Sequence, residues 1–412
     1  MTATTADDET PLRRWPVISA LGITQILAWG GSYYLPAVLA EPVSADTGWS
    51  PTWVVGGLSV GLLVAAAASP TVGRVIARRG GRPVLATSAV LFAAGQCGLA
   101  FASSLPAFIA AWIVVGLGMG TGLYDPAFAT LGRLYGAGGR SAITSLTLFG
   151  GFASTVCWPL TAFLVTTLGW RGACLAYAAI ELAVALPIYL LGVPREPANT
   201  VAPTSAGPAG APASPPSEPS AVQLLLLAAA VTTASFVSTV LSVHLLGILQ
   251  SRGLALAAAV ALGALVGPSQ VGARAIELML SQRHHPIWTK LAASSLIVLG
   301  LVGLLVGESW LTVALVLYGA GIGLESIARG TLPLVMVGPR HYPIVMGRIA
   351  LPNLMVQAAS PLVGSILLGV VGSSGTVTML TGAAVLNVLL SVGLALAIRR
   401  PFDRVAPGPW AQ

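Results

Sequence analysis

The chain has 412 residues, 55% of them hydrophobic and only 8% charged, so its apolar surface cannot be hidden in a water-soluble core and has to sit in lipid. The net charge of +7 comes from basic residues set singly between apolar runs, without interleaved aromatics, and that pattern excludes nucleic acid as a partner. Cys97, Cys157 and Cys174 lie inside apolar runs without metal-ligand spacing and read as small core residues.

Met1 to Glu9 is polar and acidic and lacks the basic start and cleavage site of a signal peptide, so residues 1–15 read as a retained N-terminal tail. Apolar runs of about 20 residues, the length that crosses a bilayer, follow near 16–40, 52–72, 83–102, 106–124, 142–167 and 172–192. They set an N-terminal bundle at 16–192. The stretch 193–221 is rich in Pro, Ala and Ser and reads as a flexible linker. Six more runs, near 222–249, 254–273, 287–306, 310–328, 344–371 and 376–398, set a second bundle at 222–398, with 399–412 as a tail.

Lys and Arg collect in cytoplasmic loops of membrane proteins. Alternate connecting segments, counted from the N-terminus, hold eighteen of the twenty Lys and Arg, and only Arg171 and Arg252 fall on the other side. The expected placement is therefore a multi-pass protein of the cell membrane with both termini and the linker cytoplasmic. A monomer is expected, since each half has the other as its partner.

The link between the second and third runs, Gly73 to Pro83, contains Gly73, Arg74, Arg78, Gly80 and Arg82. Part of it returns about half a chain later, with Pro70, Val72, Gly73, Arg74 and Arg82-Pro83 matched by Pro268, Val271, Gly272, Arg274 and His285-Pro286. Gly116-x-Gly118-x-Gly120 is likewise matched by Gly319-x-Gly321-x-Gly323, and Trp158-Pro159-Leu160 by Ser360-Pro361-Leu362. The first link resembles the loop between helices two and three of the major facilitator superfamily, Gly-x-x-x-Asp-Arg-x-Gly-Arg-Arg, with Ala77 where that pattern has Asp. Thr47-Gly-Trp-Ser50 together with Pro70-x-x-Gly-Arg74 is similar to the bacterial monocarboxylate-porter-like branch.

The resemblance implies an all-α membrane protein of twelve transmembrane helices in two pseudo-symmetric six-helix bundles, the major facilitator fold. It implies secondary active transport of a small organic solute, anionic or amphipathic, by alternating access driven by a proton or sodium gradient. The alternatives are a drug or metabolite efflux antiporter of the same fold and a non-transporting receptor on the same scaffold. Antiport is less supported: Trp112 stands where many proton-coupled members carry an arginine, and the fifth span lacks their Gly-x-x-x-Gly-Pro element.

In that family spans one, four, seven and ten line the cavity. Residues three, four and seven apart share a helix face, which groups Gln25, Trp29 and Tyr33 in the first span and Thr232, Ser235 and Thr239 in the seventh. Tyr318, Glu325 and Arg329 align in the tenth, the last two a turn apart and placed to pair. Asn353 and Gln357 in the eleventh span and Trp158 in the fifth complete the candidate lining. Trp29, Tyr33 and Trp112 would give apolar walls, while Gln25, Asn353 and Gln357 would give hydrogen bonds. Ser and Thr in membrane helices also serve as packing glue, and Trp and Tyr as interfacial anchors.

Charge at membrane depth is costly and marks a cavity or a partner. Glu325 is expected to carry a proton or to lock a gate with Arg329. Asp125 is read as a gating group or as a loop partner of Arg133 or Arg140, and Glu181, near the middle of span six, as a proton-coupling group or a neutral hydrogen-bonded acid. No nucleotide-binding loop, metal cluster or catalytic constellation is evident, so neither a cofactor nor an enzyme is expected.

Overall fold

In hydrocarbon a backbone amide finds no water, so the chain must satisfy its amides internally, and helices do this segment by segment. The computed structural model describes residues 14–195, 219–280 and 283–402, and the regular elements there are helices. Eight helical stretches among the described residues are long and apolar enough to cross a membrane. Two of the eight, Gly139–Gly192 and Glu308–Ile398, run through glycines at positive φ, Gly169 in the first and Gly338 and Gly372 in the second, where the axis turns.

The first half contains α1 (Arg14–Gly30), α2 (Pro36–Thr47), α3 (Pro51–Arg79), α4 (Arg82–Ala100), α5 (Leu105–Gly122), α6 (Tyr124–Tyr135), α7 (Gly139–Gly151), α8 (Ala153–Ile180) and α9 (Leu186–Gly192). The second contains α10 (Ala221–Gln250), α11 (Leu256–Gly263), α12 (Val266–Leu280), α13 (Pro286–Val306) and α14 (Leu311–Phe402). Several expected boundaries move. Arg14 and Trp15, expected in the tail, begin α1, and α14 continues past 398 to Phe402. Ser220 and Gln223 cap each other's backbone N–H groups, which starts α10 at Ala221. The remaining tail and linker positions, 1–13, 196–218 and 403–412, lie outside the described residues.

The glycine triplets pack in matching ways. A methyl group added to Gly116 or Gly120 would meet Gly61 or Ala65 of α3, and one on Gly118 would meet Phe92 of α4. In the second half Gly319 and Gly323 sit against Val266 and Gln270 of α12, and Gly321 against Ile297 of α13. The sequence repeat is thus a repeat of helix contacts.

Three large buried clusters, and a small one of Ile76, Val84 and Ala129, make the core. One joins the halves, uniting Leu85, Phe128, Leu131 and Leu146 with Ile287, Leu332, Tyr342 and Met346. A second belongs to the first half except for Ala350, Leu354 and Ala358, and the third to the second half alone. The joining cluster lies toward the arginine-rich end. There a methyl group on Gly73 of α3 would collide with the Pro343 carbonyl of α14, and one on Gly347 with the Ser69 carbonyl.

Candidate functional site

Backbone breaks place the polar groups. Leu123 leaves helical geometry between α5 and α6, and this turns Asp125, in the first turn of α6, toward α14. Both Asp125 oxygens accept from Nη2 of Arg329, at 2.7 and 2.6 Å. With the Asn353 amide oriented so that its oxygen faces Arg329, that oxygen accepts from both guanidinium Nη atoms at 3.2 and 3.0 Å and from Gln357 Nε2 at 2.9 Å. The Asn353 nitrogen then donates to Ser235 of α10. Asp125, Arg329 and Gln357 border a cavity between the halves whose wall also includes Trp29, Tyr33, Tyr124 and Met119.

The helix α1 ends at Gly30, and the turn over 31–35 sets Tyr33 and Tyr34 in a cluster of five aromatic rings. Trp29 lies 5.2 Å from Tyr33 edge-on and 5.2 Å from Tyr124, while Tyr34 lies 5.6 Å from Tyr33 and 5.9 Å from Trp158, both edge-on. Edge-on pairs at these separations are the favoured arrangement of ring quadrupoles. Tyr33 in turn lies beside Thr239 of α10 across the halves.

Three charged residues in or just past the link expected between the runs 254–273 and 287–306 prove to be buried. The apolar run expected to end at 273 continues as α12, and its Arg274 and Glu277 are each 5% exposed. Arg274 donates to the carbonyl oxygens of Thr147 (2.8 Å) and Gly323 (3.4 Å) and to Gln270 Oε1 (3.3 Å). Glu277 accepts from Thr289 at 2.7 Å and lies 3.5 Å from Arg140 of the first half and 3.3 Å from His284. Lys290 is 1% exposed, and its Nζ meets Glu325 Oε1 at 2.5 Å. A usable signal existed for Lys290: it is the only lysine among the twenty basic residues, and it lies at the start of an apolar run.

The expected Glu325–Arg329 pair is therefore replaced, because each has a partner on another helix: Lys290 for Glu325 and Asp125 for Arg329. Gln25, Trp112 and Tyr318 stand apart from the cavity wall. Gln25 is fully buried and donates to the Gly122 carbonyl at 2.6 Å. Trp112 packs on Gly57 and Gly61 of α3, beside Leu39 and Phe108 within the first half. Tyr318 is held inside the second half, its hydroxyl 3.4 Å from the Ser238 carbonyl. Thr232 Oγ1 is buried without a partner.

Glu181 is 2% exposed in a π-helical turn over Glu181–Ala185 that packs on α4 and α1. In the link before α4, Gly80 caps α3 at positive φ, Arg82 donates to the Leu190 carbonyl, and Arg74 stays local on Pro70 and Thr71. Arg78 is exposed. The carbonyl of Ala77 accepts from Arg133, so a backbone oxygen takes an arginine at the position where the resembling loop has an aspartate. His285 caps α13, Nδ1 accepting the Ile287 N–H at 3.2 Å, and burial, reinforced by Arg140 and His284, pushes its pKa down to about 4.

Long apolar helices, paired charges at membrane depth and a polar cavity between two halves define a multi-pass helical membrane transporter. The sequence matches the Major Facilitator Superfamily over residues 21–351, and the chain belongs to that family. It is similar to mouse monocarboxylate transporter 11, 34% identical over 170 residues that make up 39% of this chain and 36% of that one. Rat monocarboxylate transporter 13 is 30% identical over 178 residues, 41% of this chain and 39% of the relative, so the match spans well under half of each relative. Among solved structures, the human organic anion transporter MFSD10 superposes with a TM-score of 0.72 at 19% identity, covering 93% of this chain and 100% of that one. The proton:xylose symporter XylE gives 0.67 at 13% identity, over 91% and 94% of the two chains. At these identities the superpositions show the fold.

Proposed function

We propose that the chain carries a small organic anion across the membrane by alternating access, holding it between two six-helix bundles of a twelve-span fold. In this reading the arginine-rich end is cytoplasmic and closed, both termini lie on that side, and an ion gradient drives the cycle. The observation that carries the reading is Arg274. It is buried and bridges the halves through Thr147, yet among the described residues no carboxylate lies within ion-pair distance of it, whereas Arg329, Lys290 and Arg140 each have one. A guanidinium at membrane depth without a counter-ion is costly. An arriving carboxylate would supply the missing charge through paired N–H bonds. The relatives named as monocarboxylate transporters and the neighbour named as an organic anion transporter agree with that charge. Trp29, Tyr33, Tyr124 and Trp158 would face the apolar body of the solute, with Gln357, Asn353 and Ser235 supplying hydrogen bonds.

The test is thermal melting of purified protein with aliphatic and aromatic monocarboxylates and with the matched neutral amides. A solute at tenfold excess over its Kd stabilises by about 1.4 kcal/mol. Carboxylates should raise the melting temperature of the wild type, less so that of Arg274→Lys, and leave Arg274→Gln unmoved. Equal stabilisation by the amides, or an undiminished effect in Arg274→Gln, removes the assignment.

A further inference from the structure

We propose that Lys290 is the proton-carrying group of this transporter, and that Glu325 governs it by exchanging partners between Lys290 and Arg329 as the halves rock. The inference rests on the alternating-access reading above. In the closed arrangement of the arginine-rich end two ion pairs lie side by side: Lys290 with Glu325 inside the second half, and Arg329 with Asp125 across the halves. Glu325 and Arg329 are one turn apart on α14 and able to meet, and a side-chain oxygen of Glu325, Oε2, is buried without a partner.

When the halves part at this end, Asp125 withdraws with α6 and meets water. Arg329 then has Glu325 as the nearest carboxylate on its own helix. If Glu325 turns to it, Lys290 is left at 1% exposure with only the Ala230 carbonyl, 3.5 Å from Nζ. A desolvated ammonium without a counter-ion gives up its proton, which a guanidinium does not. The step balances: Lys290 goes from ammonium to amine, one proton leaves through the opened end, and Glu325 and Arg329 stay charged and paired. Reversal with a proton from the other side restores the starting state.

The remaining charged groups near the pair are on α12, α7 and the link before α13. Arg274 binds the Gly323 carbonyl, while Glu277, with Arg140 and His284, connects to Lys290 only through the neighbouring Thr289. The α10 group next to Lys290 is neutral, the Ala230 carbonyl.

The test needs no solute. Spin labels at Arg79→Cys and Arg340→Cys, exposed on opposite halves at the arginine-rich end, report its opening in nanodiscs between pH 5 and 9, in a background with the three native cysteines replaced. In the otherwise wild-type chain the ratio of long to short distance should rise with pH, by up to about tenfold per unit for a single coupled proton. Lys290→Arg, permanently charged, should hold the short distance at every pH. Lys290→Gln, permanently neutral, should favour the long one throughout. His284→Gln should respond as the wild type does. A pH response that survives Lys290→Arg puts the proton on Glu325 and overturns the assignment, as does one abolished by His284→Gln or a wild type insensitive to pH. The anion reading fails separately, through carboxylates that do not stabilise the protein, and that outcome leaves the spin-label result intact.

Discussion

His285 shows how one side chain ties stability to pH. Its Nδ1 must be unprotonated to accept the Ile287 N–H, and burial holds its pKa at about 4. An unfolded histidine titrates near 6.5. Between those values the unfolded chain binds a proton that the folded chain refuses. The stability is therefore complete above about pH 6.5, declines as pH falls, and has reached its lower level once pH drops below about 4. Melting scans across this window should show the decline in the wild type and a shallower one in His285→Asn, which caps without titrating. His285→Ala should melt lower even at pH 7.5, since a lost cap costs about 1 kcal/mol. Identical slopes in wild type and His285→Asn would place the pH dependence elsewhere. At this scale the sequence was legible for residues whose surroundings lie on their own helix and poorly legible for the rest. Glu325 and Arg329 were visible as charges at membrane depth, but the partner of Arg329 lies 204 positions away, and spacing along one helix carries no information about it. Arg274 and Glu277 fall in the link expected between the runs 254–273 and 287–306 because a hydropathy window stops at a charge, whereas a helix continues if that charge faces protein.

Where α3 and α14 touch, glycine lets two backbones meet with no side chain between them. The obstacle facing Gly73 is the Pro343 carbonyl, and backbone cannot step aside as a rotamer can. Gly73→Val should therefore wedge the arginine-rich ends apart. Overpacking of this kind costs about 1–3 kcal/mol, and charged against the closed state alone it favours opening by about 5- to 150-fold. Ser69, 4% exposed beside this contact, is the reporter: Ser69→Cys should react faster with a maleimide in the Gly73→Val background than without it. Unchanged reactivity would mean that the contact does not gate that end. The apolar runs located most helices because composition alone decides what can sit in lipid. They missed the breaks at 31–35 and at Phe152, since glycine pairs and prolines inside an apolar run leave its mean hydropathy high, and the run near 106–124 ended at the Leu123 break without showing that the chain resumes there as α6. Those breaks aim Trp29, Tyr33 and Asp125, so the candidate site was legible as a set of residues but not as a geometry.

Across the whole molecule, the two halves share a buried cluster toward the arginine-rich end, and the same end carries the cross-half bonds Asp125–Arg329, Arg140–Glu277 and Arg274 to Thr147. A covalent link between two bodies adds effective concentration, not contact energy. If this shared surface is what holds the halves, residues 1–205 and 206–412 produced as separate chains in one cell should associate, and a tag on one should retain the other through detergent purification. Removing one partner of a buried pair leaves an uncompensated charge at a cost of about 3–5 kcal/mol. Asp125→Ala should then reduce recovery of the untagged half sharply. Arg171→Gln makes the contrast, because it breaks the exposed Asp46–Arg171 contact within the first half, and exposed pairs contribute about 0–1 kcal/mol. Recovery unaffected by Asp125→Ala, or lost equally with Arg171→Gln, would mean that the cross-half ion pair is not what secures the closed end; if the untagged half fails to co-purify at all, the shared core itself is too weak to define this state.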